Sequence, residues 1–336
     1  MAPNVPLEAS STATSFLFSA LRSNLRPDGR RSFHSTLPLS LSLGSSPGTC
    51  SVSIGTSKVI THIVAELTEP RSERPYEGTL DCKIEVGSIA GVQFERNRTG
   101  DEELKFERAV ERAVRRCQVV DREALCVVAG QKVWSITLFV HLLSWAGLSA
   151  SVDAAVLSSL LSLRSFRRPD VSVEGGASIL RRRGPLSSST SASIRRNRAK
   201  ITLHDPASHA PIPLALHHAP LSVTLVYFDI SSHQALHKIG PTGKNEERRN
   251  AQLEDDGQIL LVDPDPLEAE LADAVIQIVA TPQGDICSID HAGGKAISPR
   301  LLRRAINLAR ERVKDLSKRC DAVLKANETS EALEVR

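Results

Sequence analysis

Arg108, Arg112 and Arg115 recur at i, i+4 and i+7 within residues 101–117, while Phe106, Val110, Ala113 and Cys117 take nearly opposite positions. At about 3.6 residues per turn, this pattern predicts a helix with one apolar face and one narrow line of guanidiniums. Forked donors spaced at roughly 5–6 Å match the phosphate repeat of an extended nucleic-acid strand, so backbone tracking is one chemistry open to them. A solvated helix face, with Glu107 and Glu111 as nearby partners, accounts for the same three residues equally simply.

Asp263, Asp265, Glu268 and Glu270 form a second concentration of charge, in Val262-Asp263-Pro264-Asp265-Pro266-Leu267-Glu268. Carboxylates beyond a strand end can hold Mg²⁺ beside phosphates, but two prolines predict a solvated loop here, and no metal is expected. His217-His218 have no third ligand at a recognisable spacing and read as structural. Cys50, Cys82, Cys117, Cys126, Cys287 and Cys320 show no paired metal-ligand spacing and read as buried, reduced thiols. P-loop, GxSxG and HExxH patterns are all missing, so neither a catalytic residue nor a cofactor is expected.

The elements that must position these residues follow from periodicity. Apolar Phe16, Leu17, Ala20 and Leu21 predict a helix between residues 10 and 25, capped by Ser10 or Ser11 and stopped by Arg26-Pro27-Asp28-Gly29. Alternation over 50–54 and 58–67 around a Gly55 turn predicts a hairpin, with a third strand over 80–86. Strands over 124–128 and 132–143 flank another turn, and 149–165 returns to helical spacing. Further strands are expected at 259–262, 274–280 and 286–289. A last helix should carry an apolar stripe through Leu302, Ile306, Ala309, Val313, Leu316, Cys320 and Val323.

Two stretches break the pattern. Residues 179–200 hold Arg181-Arg182-Arg183 and a Ser/Thr run, and 231–258 are polar; neither composition can pack a core, so both read as surface insertions. The expected organisation is a tail and helix over 1–25, a first half over 26–178, a second half over 201–325 around the polar insertion, and a tail over 326–336. Strands and helices in this order indicate mixed α and β in two related halves.

Composition bounds the partners. The 336 residues carry a net charge of only +3, so nucleic-acid affinity must come from local patches. Aromatics at 4% argue against a base-stacking platform. Phe16-Leu17-Phe18 is too short an apolar core for a signal peptide and no run approaches about 18 apolar residues, which predicts an intracellular protein with no membrane partner.

Several motifs occur together in a fixed order. Arg26-Pro27-Asp28-Gly29-Arg30, the segment Ala124-Leu125-Cys126-Val127-Val128-Ala129-Gly130-Gln131-Lys132-Val133-Trp134, Phe166-Arg167-Arg168-Pro169-Asp170-Val171-Ser172-Val173, His217-His218-Ala219-Pro220 and Leu261-Val262-Asp263-Pro264 resemble signatures of RNase PH-like ring subunits of the eukaryotic RNA exosome, in the branch typified by the smaller PM-Scl autoantigen. The resemblance implies an α+β RNase PH fold, akin to the second domain of ribosomal protein S5, with duplicated βαβα halves, mixed sheets and packed helices. It implies a ring of related subunits, including a catalytic-lineage paralogue, beneath RNA-binding cap subunits. RNA would thread 3′ end first toward an associated hydrolytic nuclease, in rRNA processing and mRNA turnover, in nucleus, nucleolus and cytoplasm.

Active relatives carry a Gly-Thr-Arg-Thr type loop, whose arginine and amides bind phosphate. Here Gly147-Leu148-Ser149-Ala150 matches without an arginine, and prolines interrupt the acidic segment at Asp263-Pro264-Asp265-Pro266. A ring subunit without catalysis of its own is therefore expected. By position, Arg108 and Arg112 match arginines that hold RNA in non-catalytic subunits, with Arg115 a weaker match; Arg96 and Arg98 replace the family's usual Pro-Gly-Arg context. An active phosphate-dependent 3′–5′ exoribonuclease, and a scaffold binding RNA through its basic insertions, are the competing readings.

Overall fold

Strand periodicity in the first half comes with the cores it implies. The computed structural model describes residues 10–91, 93–94, 100–174, 200–205, 208–229, 258–292 and 294–334. The insertions expected at 179–200 and 231–258 fall almost wholly outside these residues, as do Arg96 and Arg98.

The first sheet runs β1 (Leu39–Leu43), β2 (Cys50–Ile54), β3 (Ser57–Thr68), β6 (Lys132–Ser144), β4 (Thr79–Val86), with β5 (Cys126–Val128) also pairing with β6. All pairings are antiparallel except β4 with β6, which is parallel and registers Leu80 with Ile136. That parallel step requires a crossover, supplied by α2 (Asp101–Glu111). The second sheet, β12 (Gln258–Val262), β11 (Leu221–Asp229), β13 (Ala274–Ala280), β14 (Ile286–Ala292), is antiparallel throughout. The expected mixed character thus belongs to the first sheet only. In the second, β12 and β13 lie on either side of β11 and both run antiparallel to it, and the link that passes from one to the other carries a helix of six residues. Two short ribbons complete the strands: β7 (Arg167–Arg168) with β10 (Ile212–Pro213), and β8 (Val171–Glu174) with β9 (Lys200–Leu203).

Between the sheets lies α3 (Gly147–Ser165), buried from Ser149 to Leu163 and packed on β2, β3 and β11. Its Ser and Ala positions let both sheets approach closely. The hydroxyls find partners in doing so: Ser151 with Ser57 at 2.8 Å, and Ser158 and Ser162 each with Thr61 at 2.8 Å. The last helix, α5 (Pro299–Glu334), packs on β1, β11 and β13 through Leu301, Ala305, Ala309, Val313, Leu316 and Cys320. Its buried face therefore starts at Leu301 and Ala305, with Leu302 and Ile306 only partly covered. The helix also continues to Glu334, so residues 326–334 extend it and do not form a separate tail.

Every side chain from Leu221 to Phe228 is buried, because β11 is covered on both faces. One cover is α1 (Ser11–Arg22), capped by Ser10 as its sequence predicts. Leu17, Phe18 and Leu21 pack against Val226, Phe228, Ile259 and Leu261, with Phe18 edge-on to Phe228 at 6.0 Å. The helix expected within 1–25 is thus integral to the second half's packing.

Candidate nucleic-acid interface

The helix expected over 101–117 is α-helical only to Glu111; Arg112–Arg116 form one wider π turn, and Gln118 then adopts φ +50°. The turn takes up one extra residue while keeping Ala113 and Val114 in the core, so Arg115 and Arg116 at its end are rotated out of the simple 3.6-residue line. Arg108 is exposed and makes no ion pair among the described residues. Arg112 Nη1 donates to Asp290 Oδ2 on β14, and Arg115 Nη1 donates to Glu111 Oε1 at 2.7 Å. Glu111 was visible as a partner in the local sequence. Asp290 was not, because the fold brings it across 178 positions.

The second half straps this segment down. His218 Nε2 hydrogen-bonds to the Cys117 carbonyl, the His217 amide donates to Val119 O at 2.9 Å, and the Asp121 amide donates to Ala215 O at 3.0 Å. Of the histidine pair, the His218 ring ties the two halves together, while the His217 ring stands 3.8 Å from Asp121. Arg116 and Arg122, which the periodicity did not single out, come to share a groove with Arg115. The signal that could have found Arg116 was its place beside Arg115; that of Arg122 needed the bend at Gln118.

The two segments compared with a phosphorolytic site also meet. Gly147 opens α3 at φ +82°, a conformation that suits glycine, and a Cβ there would lie 3.6 Å from Pro266. Ser149 is buried, and one turn on Asp153 accepts from Ser222 Oγ at 2.5 Å, Thr224 N at 2.8 Å and Thr224 Oγ1 at 3.1 Å. Burial pushes the Asp153 carboxyl up to about 7, with nearby Asp263 adding to the rise against the pull of those hydrogen bonds.

The acidic segment is not the solvated loop its composition suggested. Pro266 begins the short helix α4 (Pro266–Leu271), with Asp265 and Glu268 forming a capping box; proline is favoured at that first position because it has no amide to leave unpaired. Asp263 is buried and paired with Arg312 at 2.7 Å. Glu268 is wholly buried and accepts from Arg26 Nε at 2.9 Å and Nη2 at 2.5 Å. Arg26 Nη1 also donates to Val262 O, and Arg30 Nη1 to Asp263 O. The arginines of the Arg-Pro-Asp-Gly-Arg turn thus brace the acidic segment, leaving only Glu270 exposed among the four carboxylates. Among the described residues no cluster of three or more His, Cys, Asp or Glu is placed to hold a metal, and no helix is long and apolar enough to cross a membrane. All six cysteines are free, but only Cys50 and Cys320 are buried outright; the other four keep part of their surface.

Comparison with known proteins follows the same division of the chain. A family model described as 3′ exoribonuclease family, domain 1, matches residues 36–169, and the model of domain 2 matches residues 219–312. Exosome complex component RRP45 of Homo sapiens is 29% identical over 316 residues, 94% of this chain and 60% of that protein. RRP45A of Arabidopsis thaliana is 28% identical over 90% of this chain and 83% of its own length, and RRP45 of Saccharomyces cerevisiae is 29% identical over 86% and 82%. The chain spans 60% of the human relative and 52% of the rat relative. Among solved structures, a chain of an Archaeoglobus fulgidus exosome with RNA bound to the active site superposes with TM-score 0.62 at 19% identity, over 92% of this chain and 97% of that one. A chain of an archaeal exosome core gives 0.56 at 18% identity, over 92% and 96%. These likenesses define the fold as that of RNase PH.

Proposed function

The chain belongs to the 3′ exoribonuclease family, carrying both of its domains in order, and from that premise we propose that it is a non-catalytic ring subunit of a eukaryotic RNA exosome, of the PM-Scl branch. It would scaffold the ring beside a catalytic-lineage paralogue, under RNA-binding cap subunits. RNA would be guided 3′ end first toward an associated hydrolytic nuclease, in rRNA processing and mRNA turnover in nucleus, nucleolus and cytoplasm. Curated relatives named as exosome components support this placement.

One observation carries the lack of catalysis. Where active relatives bind phosphate, this chain has Ser149 buried at the start of α3, Pro266 against Gly147, and the buried Asp153 one turn on. Without a guanidinium, and with a buried acid adjacent, the helix N-terminus has little left with which to hold orthophosphate, the nucleophile of phosphorolysis. Asp263 and Glu268 are tied up in ion pairs with Arg312 and Arg26, so they are not free to support a metal-assisted transfer. For RNA guidance the support is Arg108, which is exposed, and Arg112, which is half-exposed and held by one surface carboxylate.

The test is a phosphorolysis assay on the full chain alone, with 3′-labelled RNA and inorganic phosphate. No nucleoside diphosphate release is expected; phosphate-dependent release would establish the active exoribonuclease instead. Co-purification with five related subunits and three cap proteins is the expected outcome for ring membership.

A further inference from the structure

The π turn and the bend after it build a concave basic surface that includes neither Arg108 nor Arg112. Glu111, Arg115, Arg116, Gln118 and Arg122 line a groove of about 440 Å³. Glu111 pairs with Arg115, whereas Arg116 and Arg122 make no ion pair among the described residues. Three guanidiniums against one carboxylate leave the groove cationic, although the whole chain is close to neutral.

The groove is framed rigidly. The Gln118 amide donates to Arg115 O at 3.2 Å, and the Arg122 carbonyl accepts from Gly78 N at 2.9 Å and Leu125 N at 3.3 Å. Between the two arms Val119 and Val120 are buried, and Val120 bridges to Leu216 of the other half. Gln118 holds the bend at φ +50°, outside the region favoured by residues with a Cβ, so the surrounding contacts set its conformation. Gly78 has no room for a side chain: a Cβ would lie 2.4 Å from Leu125 and 2.5 Å from Trp134 O. Both arms are therefore fixed on the core before any ligand arrives.

We propose that this groove binds the phosphodiester backbone of single-stranded RNA, Arg116 and Arg122 each taking one phosphate. The inference depends on the reading that the chain handles RNA, and adds a second contact point beyond the Arg108–Arg112 face. The lining chooses phosphate over an acidic polypeptide. It contains no apolar or aromatic side chain to anchor a peptide, while planar guanidiniums match phosphate oxygens in pairs. With no stacking ring, binding is indifferent to base identity, and the Gln118 side-chain carboxamide can meet a 2′-hydroxyl.

The experiment measures fluorescence anisotropy of a labelled oligouridylate on the co-purified complex over a range of salt. Arg116→Ala/Arg122→Ala should weaken binding roughly tenfold at low salt and flatten the slope of log Kd against log salt by about 1.4, or about 0.7 per phosphate contact. Arg116→Lys/Arg122→Lys should keep the slope, showing that charge and not a folding defect is read out. An unchanged slope in the alanine variant overturns the proposal. So does oligoglutamate competing for these two arginines as strongly as RNA, which assigns an acidic polypeptide. Arg108→Ala/Arg112→Ala keeps the two ideas apart. A loss confined to that variant leaves the RNA-guiding face standing and removes the groove; a loss confined to Arg116 and Arg122 does the reverse.

Discussion

Glu268 has no exposed surface, yet it sits in a segment whose composition reads as solvent-facing. Its two bonds from Arg26 make it the counter-charge of a buried guanidinium, and removing one partner of such a pair is far costlier than removing both. Glu268→Ala is expected to lower the unfolding free energy by about 3–5 kcal/mol, measured by denaturant titration, because Arg26 is left buried without compensation. Asp153 gives a pH signature of the opposite kind. The folded protein holds its proton to about pH 7, while the unfolded acid releases it near 3.8. The stabilisation from its protonated form is therefore fully present below about 3.8 and is lost as pH rises through about 7. Asp153→Asn should show a smaller fall in stability between about pH 5 and about pH 8 than the unaltered chain, read as the shift in denaturation midpoint. The Arg-Pro-Asp-Gly-Arg turn was legible in the sequence as a motif. Its partner was not, because no local signal links Arg26 to a glutamate 242 positions away.

α2 shows what an element adds to its residues. Hydrophobic spacing located the helix and its buried Phe106 and Val110, since period alone decides which face is apolar. The π turn escaped that reading, because a single inserted residue leaves the buried set almost unchanged while rotating the arginines at its end. The Arg112–Asp290 pair is half-exposed, so in solvent it contributes no more than about 1 kcal/mol. Asp290→Asn should leave stability nearly unchanged. By freeing the guanidinium it should raise RNA crosslinking at Arg112 and steepen the salt dependence of binding. An unaltered crosslink yield would place Arg112 outside the RNA path. α4 is the other lesson at this scale: two prolines suggested a loop, but one of them occupies the helical position where proline is welcome.

Across the whole molecule, both halves were readable as alternations of strand and helix, and the six-stranded and four-stranded sheets contain the strands so read with β1 and β11 added. What the pattern could not show was which half α1 joins. Its apolar positions would suit any sheet face, and only the β11 face lacking another cover takes them. Nor could it show that α3, read as the end of the first half, is equally the floor of the second.

That shared floor makes the protein indivisible in a practical sense. A single cut between Glu174 and Lys200 leaves α3 on the N-terminal piece and β11 on the C-terminal one. Ser222 and Thr224 still hold Asp153, Arg26 still holds Glu268, and Phe18 still meets Phe228 across the break. A nicked chain is accordingly expected to elute from a sizing column at the position of the intact one and to part into fragments only in denaturant. Both of its hydrophobic clusters draw residues from the two sides of that cut, so neither piece comes away with its packing intact.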